Sequence, residues 1–484
     1  MAKQEKTRDY GQKIASRAED FAAWYNDVVL AAQLADYSPV RGAMVIRPYG
    51  FALWEHMQRF LDTRFKATGV ENAYFPLLIP ESLLAKEADH VEGFVPEVAW
   101  VTHGGTEKLE ERLAVRPTSE AIMMQMYSQW VQSWRDLPMV LNQWNSVVRW
   151  ELRTRLFLRT SEFLWQEGHT VHATAEEATA RTLQMLDVYR AFIEEELAIP
   201  VIVGRKTPSE RFPGAAETYT AEALMGDGRA LQSATSHDFS DHFTKAFEID
   251  FLDRDGGRSY AYSTSWGLST RTIGGIIMVH GDAKGLILPP KVAPVQVIIV
   301  PIWRKDEEQE TVRAYVDRMQ AALGASVRVR ADWTEEKSPG WKFNEWELRG
   351  APLRIEAGPR DAASESVVLV RRDTREKQPV ALADLSGRVD ALLAEVQQAL
   401  YDRALAHQRE HTFEANGVEE MLAILDDRRG FILAGWCGSA VCEATVKERT
   451  RATIRVIPSD SAGHAPCPVC STPDTERVYY ARAY

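Results

Sequence analysis

The sequence predicts an α+β protein in which one large N-terminal domain is followed by two smaller domains. The chain has 484 residues, too many for one hydrophobic core, because cores stop growing at roughly 250 to 300 residues. In its first part, helical and strand-like segments do not alternate strictly, which favours an antiparallel sheet with attached helices over a regular β–α repeat. Near residues 290 and 400 the pattern changes.

The composition is typical of a compact protein without membrane segments. Hydrophobic residues make up 45% of the chain and charged residues 26%, which excludes a largely disordered or fibrous chain. The N-terminus is polar and no run of about 18 apolar residues occurs, so we expect a cytoplasmic protein with no membrane partner. The net charge of -12 argues against a protein that coats nucleic acid, because such binding neutralises many phosphates.

The first predicted domain covers residues 1–290. Apolar residues recur at helical spacing in FALWEHMQRFLDTRFKA, whereas VLNQWNSVVRWEL and EFLWQEGHTVHA are rich in strand-forming residues. The domain ends at LILPPKVAP. Pro289 and Pro290 remove backbone donors and restrict φ, so we predict a linker at this point.

The second predicted domain, residues 291–400, is a small α/β unit. Strands are predicted at VQVIIVPIW, SVRVRAD, LRIEAG and SVVLVRR. Helices are predicted at EEQETVRAYVDRMQAAL, WKFNEWELRG and SGRVDALLAEVQQAL, the last of which closes the domain.

The third predicted domain, residues 401–484, contains a helix, the apolar strand FILAGW and all four cysteines of the chain. Cys437 and Cys442 form a C-x4-C pair, and Cys467 and Cys470 form a C-x2-C pair. Two such pairs of thiolates can bind Zn²⁺ tetrahedrally, and four protein ligands leave no open position, so the ion would be structural. Disulfides and free thiols are the alternatives, and a cytoplasmic chain disfavours the former.

A basic and aromatic block is the candidate nucleotide site, because neither a Walker loop nor a strand-anchored GxGxxG is present. The block VVRWELRTRLFLRTSEFLWQEGHTVHA contains Arg149, Arg153, Arg155 and Arg159, interleaved with Trp150, Phe157, Phe163 and Trp165. Guanidinium groups bind phosphate oxygens bidentately and aromatic rings can stack on a base, so the block could bind ATP. The alternative is an amphipathic hairpin with a solvated basic face.

This block resembles motif 2 of the class II aminoacyl-tRNA synthetases, and RWE followed by FLRTSEFLWQEGHT is similar to the prolyl-tRNA synthetases of the archaeal/eukaryote-like type. ENAYFPLLIP resembles motif 1, through which such enzymes form homodimers, and SWGLSTRTIGG resembles motif 3. The resemblance implies an ATP-dependent ligase that joins L-proline to tRNA(Pro). It would form a prolyl-adenylate and then transfer the prolyl group to the 3′-terminal adenosine.

The resemblance also implies roles for individual residues. It assigns ATP binding to Arg149, Glu151, Arg159, Thr160, Phe163, Gln232, Thr235 and Arg271. It assigns proline binding to Thr118, Glu120, Arg149, Trp165, Phe212, His237 and Ser269. Arg149 and Arg271 would be catalytic, Arg149 by contacting the proline carboxylate and the α-phosphate, Arg271 by facing the γ-phosphate. Glu151 would orient the base or its bound Mg²⁺. By spacing alone, VRPTSEAI is more typical of a helix N-cap.

The two later domains resemble further parts of the same enzymes. SPGWKFNEWELRGAPLRIEAGPRD is close to the prolyl version of the class IIa anticodon-binding domain. Glu347, Arg354 and Arg360 are candidates for reading anticodon bases, because carboxylate and guanidinium groups can bond the edges of unstacked bases. Ordinary surface charge is the alternative. The C-terminal segment resembles the zinc-binding domain of these enzymes, in which Tyr484 would fold back toward the active site instead of fraying.

Two other functions remain open at this stage. A sister class II synthetase, for example for threonine or glycine, would share motifs 2 and 3, although the TxE loop and FLWQEGHT count against it. A catalytically silent paralogue that binds tRNA would be favoured had Arg149 or Arg271 been replaced, and both are present. The chain also lacks room between motifs 2 and 3 for the editing insertion of bacterial-type prolyl enzymes, so we expect no hydrolysis of alanyl-tRNA.

Overall fold

The computed structural model describes residues 14–90, 98–151 and 153–484. The α-helices are α1 (Phe21–Ala31), α2 (Pro48–Ala67), α3 (Glu81–His90), α4 (Glu120–Trp130), α5 (Ala175–Ala191), α6 (His242–Ala246), α7 (Arg271–His280), α8 (Asp306–Leu323), α9 (Pro339–Leu348), α10 (Pro359–Ser364), α11 (Leu385–Glu410), α12 (Val418–Asp427) and α13 (Ala440–Thr450). No helix among these residues is long and apolar enough to cross a membrane.

The strands follow the same order along the chain. They are β1 (Ala35–Tyr37), β2 (Met44–Ile46), β3 (Glu71–Asn72), β4 (Leu78–Pro80), β5 (Trp100–Gly104), β6 (Glu107–Val115), β7 (Met139–Val148), β8 (Glu162–His172), β9 (Val201–Arg205), β10 (Glu217–Leu224), β11 (Ala230–Ser240), β12 (Asp250–Leu252), β13 (Arg258–Tyr260), β14 (Tyr262–Ser269), β15 (Val297–Pro301), β16 (Val329–Ala331), β17 (Leu353–Ala357), β18 (Ser366–Arg371), β19 (Lys377–Ala381), β20 (Thr412–Glu414), β21 (Phe431–Trp436), β22 (Thr453–Pro458), β23 (His464–Ala465) and β24 (Thr475–Ala481).

The first part of the chain forms the antiparallel sheet that the sequence predicts. Its strands lie in the order β9, β10, β11, β14, β8, β7 and β3, and only the short β3 pairs in parallel, with β7. Helices α2 and α5 cover one face, where Phe65 of α2 contacts Tyr189 of α5 and Trp266 of β14. These three side chains are buried in the largest apolar core. The α+β class is therefore confirmed.

The C-terminal strands continue this sheet instead of forming a separate one. Strand β22 pairs with β9 through Ile457 opposite Arg205 and Pro458 opposite Gly204, and β24, β21 and β20 follow outward. An unpaired edge strand exposes a row of backbone donors and acceptors, and β22 covers the end of this edge at Gly204 and Arg205. The sequence predicts a separate unit for this segment, because strand pairing between residues so far apart leaves no local pattern.

The second part of the chain is the expected small α/β unit. Its sheet has the order β16, β15, β17, β18 and β19, parallel over the first three strands and antiparallel afterwards. Helices α8 and α11 pack on it around Ile299, Ile355 and Leu392. Helix α11 continues to Glu410, so the predicted end of this unit at residue 400 lies inside a helix. Buried Ala404 extends the apolar stripe past that point.

Candidate active site

Two adjoining cavities lie against strands β8, β10, β11 and β14. The larger has a volume of about 300 Å³ and the smaller about 100 Å³. Both are lined by Arg149, Trp165, Gln232, Thr235 and Gly267, so they form one continuous site with two compartments. A cavity with apolar walls and a few polar groups is the usual form of a small-molecule site.

The larger compartment collects most of the residues predicted to bind proline. Thr118, Glu120, Arg149, Trp165, Phe212 and His237 line it. Ser269 does not, and lines the smaller compartment instead. The reason is its register on β14, where Ser269 lies opposite Trp165, whereas Gly267 lies opposite Glu167. The aromatic ring of Phe212 packs 4.7 Å from that of His237, centroid to centroid.

His237 is held as a neutral wall residue. Its Nδ1 lies 3.0 Å from the Thr218 hydroxyl and its Nε2 lies 3.1 Å from the Thr235 hydroxyl. Burial, with smaller contributions from His169 and Arg149, lowers the pKa of His237 to about 3. The ring therefore carries no charge at neutral pH and does not repel a cationic amine.

The floor of the larger compartment is acidic. Glu120, Glu167 and His169 are buried, with one ligand atom of each within 4.8 Å of the others. Glu167 accepts hydrogen bonds from the backbone N–H and hydroxyl of Ser119, at 2.9 and 2.5 Å, and from the Asn145 amide at 2.6 Å. Although burial opposes its charge, His169 and these donors hold the pKa of Glu167 below its usual range. The floor thus suits a positively charged amine.

Glu167 and His169 also line the larger compartment, although no motif of the sequence singled them out. Side chains alternate between the two faces of a strand, and β8 directs Phe163, Trp165, Glu167 and His169 toward one face. All but Phe163 line the larger compartment, and Phe163 lines the smaller one. Gln166, on the opposite face, is hydrogen-bonded to Tyr189 of α5.

The smaller compartment brings Arg149 and Arg271 together, with Phe163 beside them. The Nε of Arg149 donates to Pro117 O at 3.0 Å, and its guanidinium lies 5.2 Å from the Trp165 ring centroid. Burial and the positive charges of Arg149 and Arg159 lower the pKa of Arg271 to about 10. Arg271 remains charged at neutral pH, so the compartment concentrates positive charge that a bound polyphosphate would neutralise.

Three of the predicted ATP ligands do not line either compartment. Glu151, Arg159 and Thr160 belong to the turn between β7 and β8. Glu151 and Arg159 face each other with an O–N distance of 3.5 Å, and the Thr160 hydroxyl donates to Glu162 O at 2.7 Å. Their predicted roles stay predictions, because each side chain is bonded to a residue of the turn or to the first residue of β8.

A separate cavity in the α/β unit contains two of the three predicted anticodon residues. Glu347 and Arg354 line it. The guanidinium of Arg354 lies 4.2 Å from the ring centroid of Phe343, and Glu347 accepts from Arg375 Nε at 2.7 Å. Arg360 is exposed at the start of α10, outside this cavity, so the structure does not bring it together with the other two.

The four cysteines meet at the end of β21, as their spacing predicts. The sulfur atoms of Cys437, Cys442, Cys467 and Cys470 lie within 4.8 Å of one another, with 3.7 Å between those of Cys437 and Cys470. Zn–S bonds of about 2.3 Å in a tetrahedron require sulfurs about 3.8 Å apart, so the cluster fits a zinc ion. The Thr472 hydroxyl, 3.0 Å from Cys470, lowers the pKa of that thiol to about 6.

The C-terminal residue is fixed against the first part of the chain. The hydroxyl of Tyr484 donates to Asp227 at 2.7 Å, and its backbone N–H donates to Ala230 O at 3.1 Å. Its ring lies 5.7 Å from the guanidinium of Arg155, in the turn that follows β7. The terminus is therefore ordered by specific bonds next to the candidate site.

Comparison with known families divides the chain into three matches. Residues 100–280 match the tRNA synthetase class II core domain (G, H, P, S and T), and residues 296–392 match the anticodon binding domain. Residues 418–484 match the C-terminal domain of prolyl-tRNA synthetase. Each range lies inside one predicted domain, while the bounds of those domains stay predictions.

Relatives cover nearly the whole chain. The proline--tRNA ligase of Natranaerobius thermophilus is 53% identical over 98% of this chain and 99% of its own length. The proline--tRNA ligase 2 of Bacillus cereus is 54% identical over the same shares. The chain belongs to the prolyl-tRNA synthetases. This prolyl-tRNA synthetase is also similar to a solved one, the Cryptosporidium parvum enzyme complexed with halofuginone and AMPPNP. The TM-score is 0.93 at 40% identity, over 97% of this chain and 99% of the other.

Membership in the prolyl-tRNA synthetases decides between the functions that the motifs left open. A threonyl or glycyl sister enzyme shares the class II core, but it would not match the prolyl C-terminal domain over residues 418–484. The silent paralogue is disfavoured by Arg149 and Arg271, which meet in one compartment.

Proposed function

We propose that this protein attaches L-proline to tRNA(Pro) in two steps and consumes ATP. The observation that carries the proposal is the continuity of the two compartments, with Arg149 at their junction. An acidic and aromatic compartment suits the cationic imino group and apolar ring of proline. The adjoining cationic compartment suits a triphosphate.

In the first step, a carboxylate oxygen of proline attacks the α-phosphorus of ATP. The new P–O bond gives prolyl-adenylate, and the bond to pyrophosphate breaks. This reaction needs alignment of two anions more than a strong base, and guanidinium groups supply both alignment and charge compensation. Arg149 would bridge the two anions from the junction, and Arg271 would hold the γ-phosphate.

In the second step, a hydroxyl of the 3′-terminal adenosine of tRNA attacks the carbonyl carbon of prolyl-adenylate. The ester bond to the tRNA forms, the hydroxyl proton passes to water, and AMP leaves with the electron pair of the broken C–O bond. The same compartments hold the adenylate throughout, so no second catalytic constellation is required.

Proline selectivity would come from the walls and the floor of the larger compartment. Trp165, Phe212 and neutral His237 would enclose the pyrrolidine ring. Thr118 and Glu120, joined by a hydrogen bond, would bind the imino group together with Glu167. A buried carboxylate without hydrogen-bond donors costs free energy. The donors to Glu167 would therefore also hold its charge in position before proline binds.

Gln232, Thr235 and Phe163 would bind the nucleotide from the smaller compartment, which they line. Ser269 joins this group by position. Mg²⁺ would accompany the phosphates, and Glu151 offers the carboxylate oxygens that this ion prefers. Arg159 and Thr160 would reach the nucleotide from the turn after β7. When bound, Mg²⁺ would neutralise phosphate charge.

Three further proposals concern partners and place. The cavity around Glu347 and Arg354 would bind anticodon bases, with Arg360 outside it. The cysteine cluster would hold one structural Zn²⁺. The protein would work in the cytoplasm, where proteins are made.

A homodimer through motif 1 is proposed from exposed apolar side chains in that segment. Tyr74 is 75% exposed and Leu77 is 41% exposed, between β3 and β4. Large exposed apolar groups in one segment are typical of an interface. Light scattering of the purified protein should give twice the chain mass of 54.6 kDa. The double variant Tyr74→Asp and Leu77→Asp should give the mass of one chain.

An amino-acid-dependent pyrophosphate exchange assay tests the proposed function. All twenty amino acids should be supplied singly with ATP and labelled pyrophosphate. We expect proline to stimulate exchange well above threonine and alanine. Stimulation by another amino acid in place of proline, or by none, would contradict the proposal.

A further inference from the structure

The rim of the larger compartment is a connection without helix or strand, residues 206–213 between β9 and β10. We refer to it as the rim segment. Lys206, Glu210, Arg211, Phe212 and Pro213 line the compartment. Its backbone makes few hydrogen bonds, among them Lys206 N–H to Thr218 O at 2.8 Å and Glu210 N–H to Thr207 O at 3.1 Å. Side-chain bonds therefore contribute much to the shape of the pocket wall.

The end of the rim segment that leads into β10 is held by the first part of the chain. Arg211 bonds both carboxylate oxygens of Glu217 at 3.2 Å. The backbone N–H of Phe212 donates to the Thr218 hydroxyl at 3.0 Å. These contacts secure the end of the segment, but they do not involve its beginning.

The beginning of the rim segment is held by α13, in the C-terminal part of the chain. The hydroxyls of Thr207 and Ser209 each donate to the same carboxylate oxygen of Glu443, at 2.6 Å. Thr207 is 0% and Glu443 is 6% exposed. Both hydroxyls share one buried carboxylate oxygen, and a buried hydroxyl left without its acceptor costs free energy, so Glu443 is the main anchor of this end.

Neighbouring contacts place the same end against β22. Lys206 Nζ donates to Arg455 O at 2.7 Å and to Glu222 at 2.7 Å. Glu210 lies 3.8 Å from a guanidinium nitrogen of Arg455 and 3.4 Å from Lys447 Nζ. The C-terminal part thus surrounds the first half of the rim segment, in line with the strand pairing of β22 with β9.

We propose that Glu443 is a positioning residue for the proline pocket. Glu443 does not line the larger compartment, but it holds Thr207 and Ser209 in place. It thereby fixes the position of the rim residues that follow them. The inference deepens the proposed function and rests on it. It also gives the C-terminal part a role in amino-acid binding, because Glu443 follows the cysteine Cys442 directly in α13.

The test compares Glu443→Ala with Glu443→Gln and with Glu448→Ala, an exposed glutamate of the same helix. The KM for proline in pyrophosphate exchange should rise about tenfold in Glu443→Ala, as expected for the loss of two buried hydrogen bonds. The KM for ATP should change less than about twofold. Glu443→Gln should recover most of the loss, because its amide oxygen still accepts, and Glu448→Ala should resemble the unaltered protein.

A second readout separates positioning from general damage. Amide hydrogen exchange of residues 206–213, measured without substrate, should accelerate in Glu443→Ala while peptides of α5 stay unchanged. An equal rise of both KM values, or unchanged exchange in the rim segment, would overturn the proposal. If Glu443→Ala does not fold, Ser209→Ala removes one of the two bonds without altering α13, and it should raise the KM for proline about threefold.

The design also distinguishes failure of the proposed function from failure of this inference. If the unaltered protein shows no proline-dependent exchange, the proposed function is wrong. The hydrogen-exchange arm then still decides whether Glu443 fixes the rim segment. If proline-dependent exchange is present and its KM does not move in Glu443→Ala, only the positioning role is refuted.

Discussion

At the scale of single residues, Arg149 and Arg271 show how distant parts of the sequence build one electrostatic site. Arg149 follows the end of β7, and Arg271 is the first residue of α7, yet both line the smaller compartment. Their mutual repulsion lowers the pKa of Arg271 in addition to burial. A cluster of like charges is tolerated where an anionic ligand neutralises it, which is the situation proposed for ATP.

Replacement of Arg271 should therefore impair catalysis more than folding. We expect Arg271→Ala to lower kcat for pyrophosphate exchange by about 100- to 1,000-fold, because it removes charge stabilisation at the phosphates. Arg271→Lys should recover little, since an ammonium group lacks the planar fork. Arg313→Ala, exposed on α8, is the matched control and should keep full exchange. Equal activity of the two alanine variants would contradict the role.

Buried histidines should make stability depend on pH. Burial is the main cause that lowers the pKa of both His237 and His280 to about 3, whereas an unfolded histidine titrates near 6.5. Below about pH 6.5 these histidines bind more protons in the unfolded state than in the folded state. The free energy of unfolding therefore falls as the pH drops toward 3. Each histidine contributes up to about 1.4 kcal/mol per pH unit.

Urea unfolding at pH 7 and pH 5 measures this dependence. His280→Gln should show a smaller loss of unfolding free energy between the two pH values than the unaltered protein, because one buried histidine is gone. His103→Gln, at an exposed position, should show the same loss as the unaltered protein. An unchanged loss in His280→Gln would refute the prediction.

At the scale of elements, β8 and α13 position site side chains in different ways, β8 by strand alternation and α13 by two consecutive residues. The alternation of β8 explains why Trp165, Glu167 and His169 share a compartment. Helix α13 begins at Ala440 and directs Cys442 toward the other cysteines and the next residue, Glu443, toward Thr207. One turn of helix thus connects the cysteine cluster to the proposed proline pocket.

Loss of the cysteine cluster should loosen this element. We expect about one zinc per chain by elemental analysis, and Cys442→Ser with Cys470→Ser should abolish it, because two thiolates cannot complete a tetrahedral site. The thermal midpoint should fall, and hydrogen exchange of α13 should accelerate. Val441→Ser, at a position 76% exposed, is the control and should retain zinc. Zinc retained in the double variant would show that the ion lies elsewhere.

At the scale of the whole molecule, one sheet runs from the first part of the chain into the last. The pairing of β22 with β9 makes the C-terminal part a structural continuation of the active-site sheet. The ion pairs of Arg455 with buried Glu222 cross the same junction. Removing one partner of such a buried pair is costly because the other charge is left unpaired. Truncation before α12 is consequently not a neutral way to simplify the protein.

At the same scale, the elements between β8 and β14 bear on whether the protein can correct misacylated tRNA. Between β8 and β14 the described residues form α5, β9, β10, β11, α6, β12 and β13, and three of these strands belong to the main sheet. That leaves no separate domain for editing. Incubation with alanyl-tRNA(Pro) should release alanine no faster than buffer does, whereas a bacterial-type enzyme with the insertion provides the positive control. Release above the buffer rate would contradict the prediction.

The sequence by itself determined the α+β class, the change of pattern near residue 290, the cysteine cluster and most of the pocket. These features are local: period, proline content and short motifs specify them within a few residues. Thr118, Trp165 and His237 could be named because each lies in a motif of its own. Resemblance supplied their roles, since spacing alone favoured a helix cap for Thr118.

Only the tertiary structure decided which of those residues share a compartment. Strand register places Ser269 in the smaller compartment, Arg360 is exposed outside the cavity that Glu347 lines, and the apolar stripe of α11 continues past residue 400. It also revealed Glu443, whose partner Thr207 is more than two hundred positions away in the chain. Strand pairing and buried side-chain bonds join residues irrespective of their separation, so no local pattern in the sequence specifies them.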